Sequence, residues 1–186
     1  NYFQMLFVIS APSGAGKTTI IKELFGALPE LSFSVSATTR KKRENEIEGK
    51  DYHFLSIEEF NRRKDNHEFI ETEEVHGNLY GTLKSEVEPF LTGDDHLVFD
   101  VDVKGALSIK RFFPEAVLIF IDVPFNELIR RLKGRKTESD EEIKKRTSRI
   151  MMEIEEKPKF DHIVDNSKGL DDAVNEVKRI IQSKSK

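Results

Sequence analysis

The stretch Ala11-Pro-Ser-Gly-Ala-Gly-Lys-Thr18 follows a short apolar run, residues 6–9, and precedes an amphipathic segment that begins near Thr19. A strand, a glycine-rich loop and a helix in this order form a phosphate cradle. The glycines let several backbone N–H groups point at one anion, and the helix N-terminus adds its positive dipole. In such a loop Lys17 reaches the terminal phosphates and the Thr18 hydroxyl holds Mg²⁺, whereas the alternative is a structural glycine-rich turn. We predict a nucleoside triphosphate site formed by Ala11, Pro12, Ser13, Gly14, Ala15, Gly16, Lys17, Thr18 and Thr19.

The composition of the chain argues against several classes of protein. A length of 186 residues suits one compact domain that can carry small inserted subdomains. The formal net charge of −4 argues against nonspecific nucleic-acid binding as the main function. The absence of cysteine excludes disulfides and thiolate metal sites and fits a reducing cytoplasm. No apolar run approaches the roughly 18 residues of a membrane span and the N-terminus shows no signal-peptide pattern, so we expect a cytoplasmic protein without a nucleic-acid or membrane partner.

Short apolar segments alternate with amphipathic ones along most of the chain. This alternation predicts an α/β fold in which helices cover both faces of a parallel sheet, giving three layers. Ser139-Asp-Glu-Glu142 is a capping-box sequence and predicts the start of a long helix. The predicted strands are residues 6–10, 33–36, 96–102, 116–123 and 162–164, and the predicted helices are residues 17–28, 103–113, 126–134, 140–156 and 170–183.

Two segments break this alternation. Residues 38–92 mix strand patterns (52–55, 69–75 and 79–83) with one helical pattern (57–64), which predicts a small mixed α+β insertion with its own sheet. Residues 126–160 are helical, highly charged and rich in arginine. Residues 1–4 resemble the end of a protease-cleavable expression tag, with Met5 as the expected native start. We predict one domain over residues 5–183, with a core of residues 5–37, 93–125 and 161–183.

A phosphate loop alone leaves a GTPase, an ATPase and a small-molecule kinase open, although the chain lacks the Asn/Thr-Lys-x-Asp motif by which GTPases read guanine. Six other blocks follow in the chain: Ser34-Val-Ser-Ala-Thr-Thr-Arg-Lys-Lys-Arg43, Gly49-Lys-Asp-Tyr-His-Phe54, Glu68-Phe-Ile-Glu71, Gly77-Asn-Leu-Tyr-Gly-Thr82, Phe99-Asp-Val-Asp102 and Arg131-Leu-Lys-Gly-Arg135. In order and spacing they resemble the guanylate kinases, and the similarity spans residues 5–183.

The resemblance implies a P-loop NTPase core, a GMP-binding insertion at residues 38–92 and a helical lid at residues 126–160. It implies Mg²⁺-dependent transfer of the γ-phosphoryl group from ATP to GMP or dGMP, a reaction of purine nucleotide metabolism. It implies a direct, in-line transfer with no covalent intermediate. Whether the protein is a monomer or a homo-oligomer is left open.

The resemblance also implies which residues hold the GMP phosphate. Planar guanidinium groups match a dianionic phosphate bidentately, so Arg40 and Arg43 are the implied ligands, together with the hydroxyls of Tyr52 and Tyr80. By their own pattern, residues 40–43 equally suit a solvated basic loop or a nucleic-acid contact. Either tyrosine alone also suits a packing role.

The guanine base presents N1–H and N2–H₂ as adjacent donors, and one carboxylate can accept both. Glu71 is the implied selector against adenine, and Asp102 the implied acceptor from the N2 amine. Ser36 and Thr82 are the implied donors to O6 or N7. A buried polar site of this kind rejects a mismatched base because its own groups are left unpaired. The alternative for Glu71 is a surface carboxylate on an edge strand.

Two carboxylates stand at the C-terminal end of the predicted third strand of the core. Asp100 and Asp102 share one face if residues 97–102 form a strand, at the sheet edge where ligands bind in open α/β folds. Asp100 then orients hydrated Mg²⁺ beside Thr18. The alternative is a structural acid that pairs with Lys17 when no nucleotide is bound.

The charged segment 126–160 corresponds to the lid of the family. The implied catalytic residues are Lys17, Arg131, Arg135 and Arg146, which neutralise the transferring phosphoryl group as the lid closes. The other cations of the segment are interpreted as a solvated face; they are Arg130, Lys133, Lys144, Lys145 and Arg149.

Two other functions stay open. One is a guanylate-kinase-like binding module that recognises a phosphorylated or acidic protein segment, although such modules typically have an eroded phosphate loop. The other is a related small-molecule kinase with a different phosphate acceptor. The phosphate loop begins with Ala11 where the usual loop pattern has Gly, and the chain departs from the family pattern at Lys42, Lys104, Lys136 and Asp165-Asn166.

Overall fold

The computed structural model describes residues 5–91, 95–133 and 139–184. Nine strands and seven helices run through these residues, with short 3-10 turns at Glu88–Phe90 and Lys157–Lys159. In chain order they are β1 (Leu6–Ser10), α1 (Lys17–Ala27), β2 (Leu31–Phe33), β3 (Ala37–Thr38), β4 (His53–Phe54), α2 (Ile57–Asp65), β5 (Phe69–Val75), β6 (Asn78–Leu83), α3 (Lys84–Val87), β7 (His96–Asp100), α4 (Val103–Phe112), β8 (Val117–Asp122), α5 (Phe125–Lys133), α6 (Asp140–Glu155), β9 (His162–Asp165) and α7 (Leu170–Lys184).

Five parallel strands form the main sheet in the order β2-β7-β1-β8-β9. Side chains alternate between the two faces of β1, so Phe7 and Ile9 join the core formed with α1, α5, α6 and α7. Leu6 and Val8 point the other way and pack with α4. Both faces are covered, which explains why the central strands are continuously apolar. The predicted three-layer α/β fold is confirmed.

A second sheet has the order β4-β3-β6-β5. Strand β3 pairs in parallel with β4 and antiparallel with β6, which pairs antiparallel with β5. Its small core is built around Phe60, whose ring stacks on Phe69 with centroids 4.5 Å apart. Strand β5 packs against α4, so the second sheet stands beside the carboxyl ends of the main-sheet strands.

The chain passes between the two sheets twice. It crosses once at residues 34–36, between β2 and β3, and once after β6, where α3 begins. Glu86 of α3 links the crossings, because its Oε2 accepts a hydrogen bond from the backbone N–H of Val35 at 3.3 Å. Its Oε1 lies 2.6 Å from Nε2 of His53 in the second sheet. The carboxylate of Glu86 therefore links both crossings to the second sheet.

Most predicted elements agree with the structure within one or two residues, and the capping box at Ser139 is present as predicted. Two predicted strands of the core are wrong in extent. The strand predicted at 33–36 is Leu31–Phe33, because the chain leaves the main sheet after the N–H of Ser34 donates to Val98. The strand predicted at 96–102 ends at Asp100, because Asp102 caps a helix.

The short elements β3 and α3 were not predicted. Strand β3 begins at Ala37, one residue before the start predicted for the insertion. The helix predicted at 126–134 is seen as Phe125–Lys133, and Gly134 lies outside the described residues. Among the helices of the described ranges, none is long and apolar enough to cross a membrane.

Candidate active site

The loop between β1 and α1 has the backbone that its glycines predict. Gly14 and Gly16 have φ values of 86° and 88°, in the left-handed region that side chains disfavour. Gly16 is the N-cap of α1 and makes no side-chain cap, so the helix N-terminus opens into the loop. Asn166 packs on the loop, where its Nδ2 donates to the carbonyl of Ala15 at 2.8 Å and leaves no room for a Cβ at residue 16.

Lys17 points from the first turn of α1 to the end of β7. Its Nζ lies 2.7 Å from Oδ1 of Asp100 and donates to the carbonyl of Val101 at 2.8 Å. Strand β1, which leads into the phosphate loop, lies beside β7, and Ile9 is the partner of Asp100 in the sheet. This is the ion pair that the second interpretation of Asp100 predicts.

A cavity of about 250 Å³ joins the phosphate loop to the second sheet. Five of the eight residues predicted to bind GMP line it, together with Lys17, Thr18 and Asp100. The five are Ser36, Tyr52, Glu71, Tyr80 and Asp102. The structure thus brings the predicted triphosphate loop and the predicted acceptor residues to one space.

Glu71 lies on β5, an edge strand, and yet its side chain is buried. Its Oε1 accepts a hydrogen bond from the Thr82 hydroxyl at 2.7 Å. Burial raises the pKa of Glu71 to about 7; the charges of Asp102 and Glu73 act in the same direction, and the Thr82 hydrogen bond opposes them. The alternative of a surface carboxylate is therefore wrong.

Gly105 was missed by the sequence reasoning. It lies in the first turn of α4, where an added Cβ would lie 3.2 Å from Oε2 of Glu71 and 3.1 Å from Oδ1 of Asp102. Glycine therefore leaves the room that the two carboxylates occupy. Gly105 follows the predicted Asp-x-Asp block by only three residues, but no sequence pattern shows that a buried glutamate will approach it.

Asp102 does not continue β7 as predicted. It is the N-cap of α4, where its Oδ1 accepts from the backbone N–H of Gly105 at 2.8 Å. Its Oδ2 accepts from Nη2 of Arg149 at 2.8 Å. The shared strand face predicted for Asp100 and Asp102 is therefore wrong, although both residues line the same cavity.

Arg40 lies beside the cavity, with its guanidinium 5.3 Å from the ring centroid of Tyr52. It is held bidentately by Glu46, with Nη2–Oε1 and Nη1–Oε2 distances of 2.6 and 3.0 Å. This pairing lowers the pKa of Glu46 to about 2. The backbone N–H of Arg43 also donates to Glu46 at 2.7 Å. A solvated loop does not describe Arg40, and Glu46 is a further partner that the sequence did not reveal.

The rings of Tyr52 and Tyr80 meet edge-on, with centroids 6.1 Å apart. Burial raises the pKa of Tyr52 to about 12, so its hydroxyl keeps its proton and remains a hydrogen-bond donor at neutral pH. Thr82, the remaining predicted base contact, touches the site through Glu71.

Two predicted lid arginines contact the phosphate loop. Nη1 of Arg131 donates to the carbonyl of Gly14, and Nη2 of Arg146 donates to the hydroxyl of Ser13, each at 3.1 Å. Arg135 and Lys136 lie outside the described residues.

The other cations of the charged segment fall into two groups. Arg130, Lys133, Lys144 and Lys145 are exposed, as predicted for a solvated face. Arg149 is not, because it pairs with Asp102 and with Glu153, so the solvated-face interpretation of Arg149 is wrong. Lys42 and Lys104, two of the departures from the family pattern, are exposed.

A second cavity, of about 320 Å³, lies on the other side of the loop. Gly16, Thr19 and Arg131 form one wall, and residues 166–170 form the other. Asp165 precedes this wall and accepts from the backbone N–H of Ser167 at 2.8 Å. Within the described ranges, no group of three or more histidine and acidic side chains has the arrangement of a metal cluster.

Comparison with known proteins gives one consistent family. The family model described as guanylate kinase matches residues 4–184. The chain is 43% identical to the guanylate kinase of Fusobacterium nucleatum over 96% of both chains. It is 47% identical to that of Salinibacter ruber over 92% of both. The crystal structure of guanylate kinase from Anaplasma phagocytophilum superposes with a TM-score of 0.81 at 29% identity, covering 100% of this chain and 88% of that one. The chain belongs to the guanylate kinase family, nucleoside monophosphate kinases that use ATP to phosphorylate GMP.

Proposed function

We propose that this chain transfers the γ-phosphoryl group of ATP to GMP or dGMP in an Mg²⁺-dependent, in-line reaction. The observation that carries the proposal is the shared cavity, in which Lys17 and Thr18 face Glu71, Tyr52 and Tyr80. Donor phosphates on the loop and an acceptor phosphate near the tyrosines then meet beside Lys17. We also infer a cytoplasmic location, since a chain without cysteine fits a reducing compartment.

The acceptor nucleotide is proposed to lie against the second sheet. Arg40 and Arg43, with the hydroxyls of Tyr52 and Tyr80, hold its phosphate. The guanine N1–H and N2–H₂ donate to Glu71, which is already buried and held by Thr82. The N2 amine also donates to Asp102, and the Ser36 and Thr82 hydroxyls face O6 or N7. Residues 38–92 are thus the GMP-binding insertion, and residues 126–160 the lid.

The donor is proposed to bind along residues 11–19. The cavity lined by Asn166 and residues 167–170 is the candidate adenine site, because it opens at the same loop. Thr18 and Asp100 offer the hydroxyl and carboxylate oxygens that Mg²⁺ prefers, so they fit the ion, with Asp100 acting through water. Bound there, Mg²⁺ would neutralise phosphate charge.

The chemistry proceeds without a general base. An ionised phosphate oxygen of GMP attacks the γ-phosphorus, a new P–O bond forms, and the bond to the ADP oxygen breaks. Lys17 and the lid residues Arg131, Arg135 and Arg146 balance the charge that spreads over the transferring group. Their contacts to Gly14 and Ser13 place Arg131 and Arg146 over the loop.

A coupled assay for ADP tests the function and its acceptor. We expect turnover with ATP, Mg²⁺ and either GMP or dGMP, and at least 100-fold lower kcat/KM with AMP, CMP or UMP. Equal turnover with AMP would contradict the role of Glu71. Absence of any GMP-dependent ADP, together with absent nucleotide binding, would instead favour the binding-module alternative.

A further inference from the structure

Arg149 connects the lid to the base end of the acceptor cavity. It lies on α6, three residues after Arg146. Its Nη2 donates to Oδ2 of Asp102 at 2.8 Å, and its Nε donates to Oε1 of Glu153 at 2.9 Å. The side chain is 27% exposed. Two charge-assisted hydrogen bonds to carboxylates fix the plane of the guanidinium group.

The carboxylate of Asp102 is held from two sides. The backbone N–H of Gly105 donates to Oδ1, and Arg149 donates to Oδ2. The first contact comes from α4, which packs on the main sheet, whereas the second comes from α6 in the proposed lid. Each carboxylate oxygen has a second lone pair, so Asp102 keeps acceptor capacity toward the cavity that it lines. Its orientation there depends on both contacts.

Arg149 also adds positive charge to an acidic part of the cavity. Glu71, Glu73 and Asp102 all line it. Burial and the charge of Asp102 raise the pKa of Glu71 and of Glu73, and the charge of Arg149 opposes this rise at Glu73. Arg149 therefore supplies a positive charge as well as a hydrogen bond at this end of the cavity.

We propose that Arg149 is a positioning residue for guanine recognition, holding Asp102 so that its carboxylate accepts from the 2-amino group of the acceptor base. The inference rests on the role proposed above for Asp102. Through Asp102, Arg149 would link the lid helix α6 to the acceptor base. Arg146 of the same helix contacts the phosphate loop. Arg149 acts through Asp102 and touches neither the base nor the transferring phosphate.

IMP supplies the discriminating measurement, because its base is guanine without the 2-amino group. We expect Arg149→Met to raise KM for GMP about tenfold, the effect of losing one charge-assisted hydrogen bond, with KM for IMP and for ATP changed less than twofold. Lys145→Met is the matched control. Lys145 is an exposed cation of the same helix, and it pairs with Glu141. Its loss should leave KM for GMP, IMP and ATP unchanged.

The outcomes separate Arg149 from Asp102. Asp102→Asn should itself remove most of the preference for GMP over IMP; if it does not, the proposed role of Asp102 is wrong. If Asp102→Asn removes the preference but Arg149→Met changes GMP and IMP equally, the inference about Arg149 alone is overturned. The double variant should be no worse than Asp102→Asn, and additive effects would also overturn it.

A second variant covers the case in which Arg149→Met fails to fold. Arg149→Lys keeps the charge and the aliphatic stem but cannot hold Asp102 and Glu153 in the same fork. We expect it to lower the GMP-to-IMP preference about threefold, and an unchanged preference would overturn the inference.

Discussion

The hydroxyl of Thr82 donates a 2.7 Å hydrogen bond to Oε1 of Glu71, inside a pocket where burial raises the pKa of that carboxyl to about 7. A guanine base donates two N–H groups to this carboxylate in the proposed complex, and only the ionised form can accept both. Binding of GMP therefore competes with binding of a proton at Glu71.

The sign of the pH dependence follows from this competition. Below pH 7 most Glu71 is protonated and must lose its proton to bind guanine, so KM for GMP should fall as the pH rises from 6 to 8 and then level off. Steady-state kinetics at fixed ATP measure it. Glu71→Gln should weaken GMP binding and remove the part of the pH dependence due to Glu71. The part due to the GMP phosphate, which titrates near pH 6, should persist. An identical pH profile in the variant contradicts the assignment.

The space at Gly105 gives a second prediction. Glycine inside a helix ordinarily costs about 0.5–1 kcal/mol relative to alanine, so this gain should offset the crowding and Gly105→Ala should leave the melting temperature nearly unchanged. That Cβ would push on both Glu71 and Asp102, and KM for GMP should rise about three- to tenfold. Gly26→Ala is the control, since a Cβ at residue 26 meets no heavy atom within 4 Å. If KM stays at the wild-type value, the packing argument is wrong.

The bidentate hydrogen bonding between Glu46 and Arg40 gives a third prediction. An ammonium group cannot reproduce the two parallel hydrogen bonds that the guanidinium makes to Glu46. Arg40→Lys should therefore raise KM for GMP about 10- to 100-fold while KM for ATP stays within about twofold. Arg62→Lys is a matched control, because Arg62 is bound bidentately by Glu59 on the exposed side of α2. Equal effects of the two substitutions would refute a phosphate-binding role for Arg40.

The contact between Lys17 and Asp100 gives a fourth prediction. Lys17→Met removes the cation proposed to lie between the donor and acceptor phosphates, and kcat should fall about 10²- to 10³-fold. KM for GMP should change only a few-fold, because the proposed acceptor contacts Glu71 and Tyr80 lie on the second sheet. Lys22→Met, an exposed lysine of the same helix, should leave kcat unchanged. A Lys17→Met enzyme with normal kcat would exclude Lys17 from the catalytic group.

The sequence predicts best where the signal is local. The loop needs a left-handed backbone conformation at Gly14 and Gly16, and glycines at that spacing predict it directly. The predicted extent of β7 was wrong because Asp102 follows a strand-like apolar pattern. In the sequence, a helix N-cap cannot be distinguished from one more residue of the strand. The partner of an N-cap lies three residues away, but the second partner of Asp102 lies 47 residues away.

Long-range pairing explains the other errors. Arg149 has the same local pattern as the exposed Lys145, and only the docking of α6 over the main sheet distinguishes them. Glu46 stands among basic and acidic residues of similar appearance. Its role emerges from the fold of residues 40–46, which no periodic pattern describes.

The two crossings between the sheets have a mechanical consequence. A body attached at two neighbouring points keeps one easy rotation, about the line that joins them, and resists twisting about any other axis. Glu86 fastens these points to each other and to His53, so the second sheet should swing as a single piece. Glu71, Arg40, Tyr52 and Tyr80 would then hold their mutual spacing throughout the swing. Such a swing would change the distances from the second sheet to α4 and to Lys17, and the distance to Lys17 is the gap that the phosphoryl group crosses in the proposed reaction.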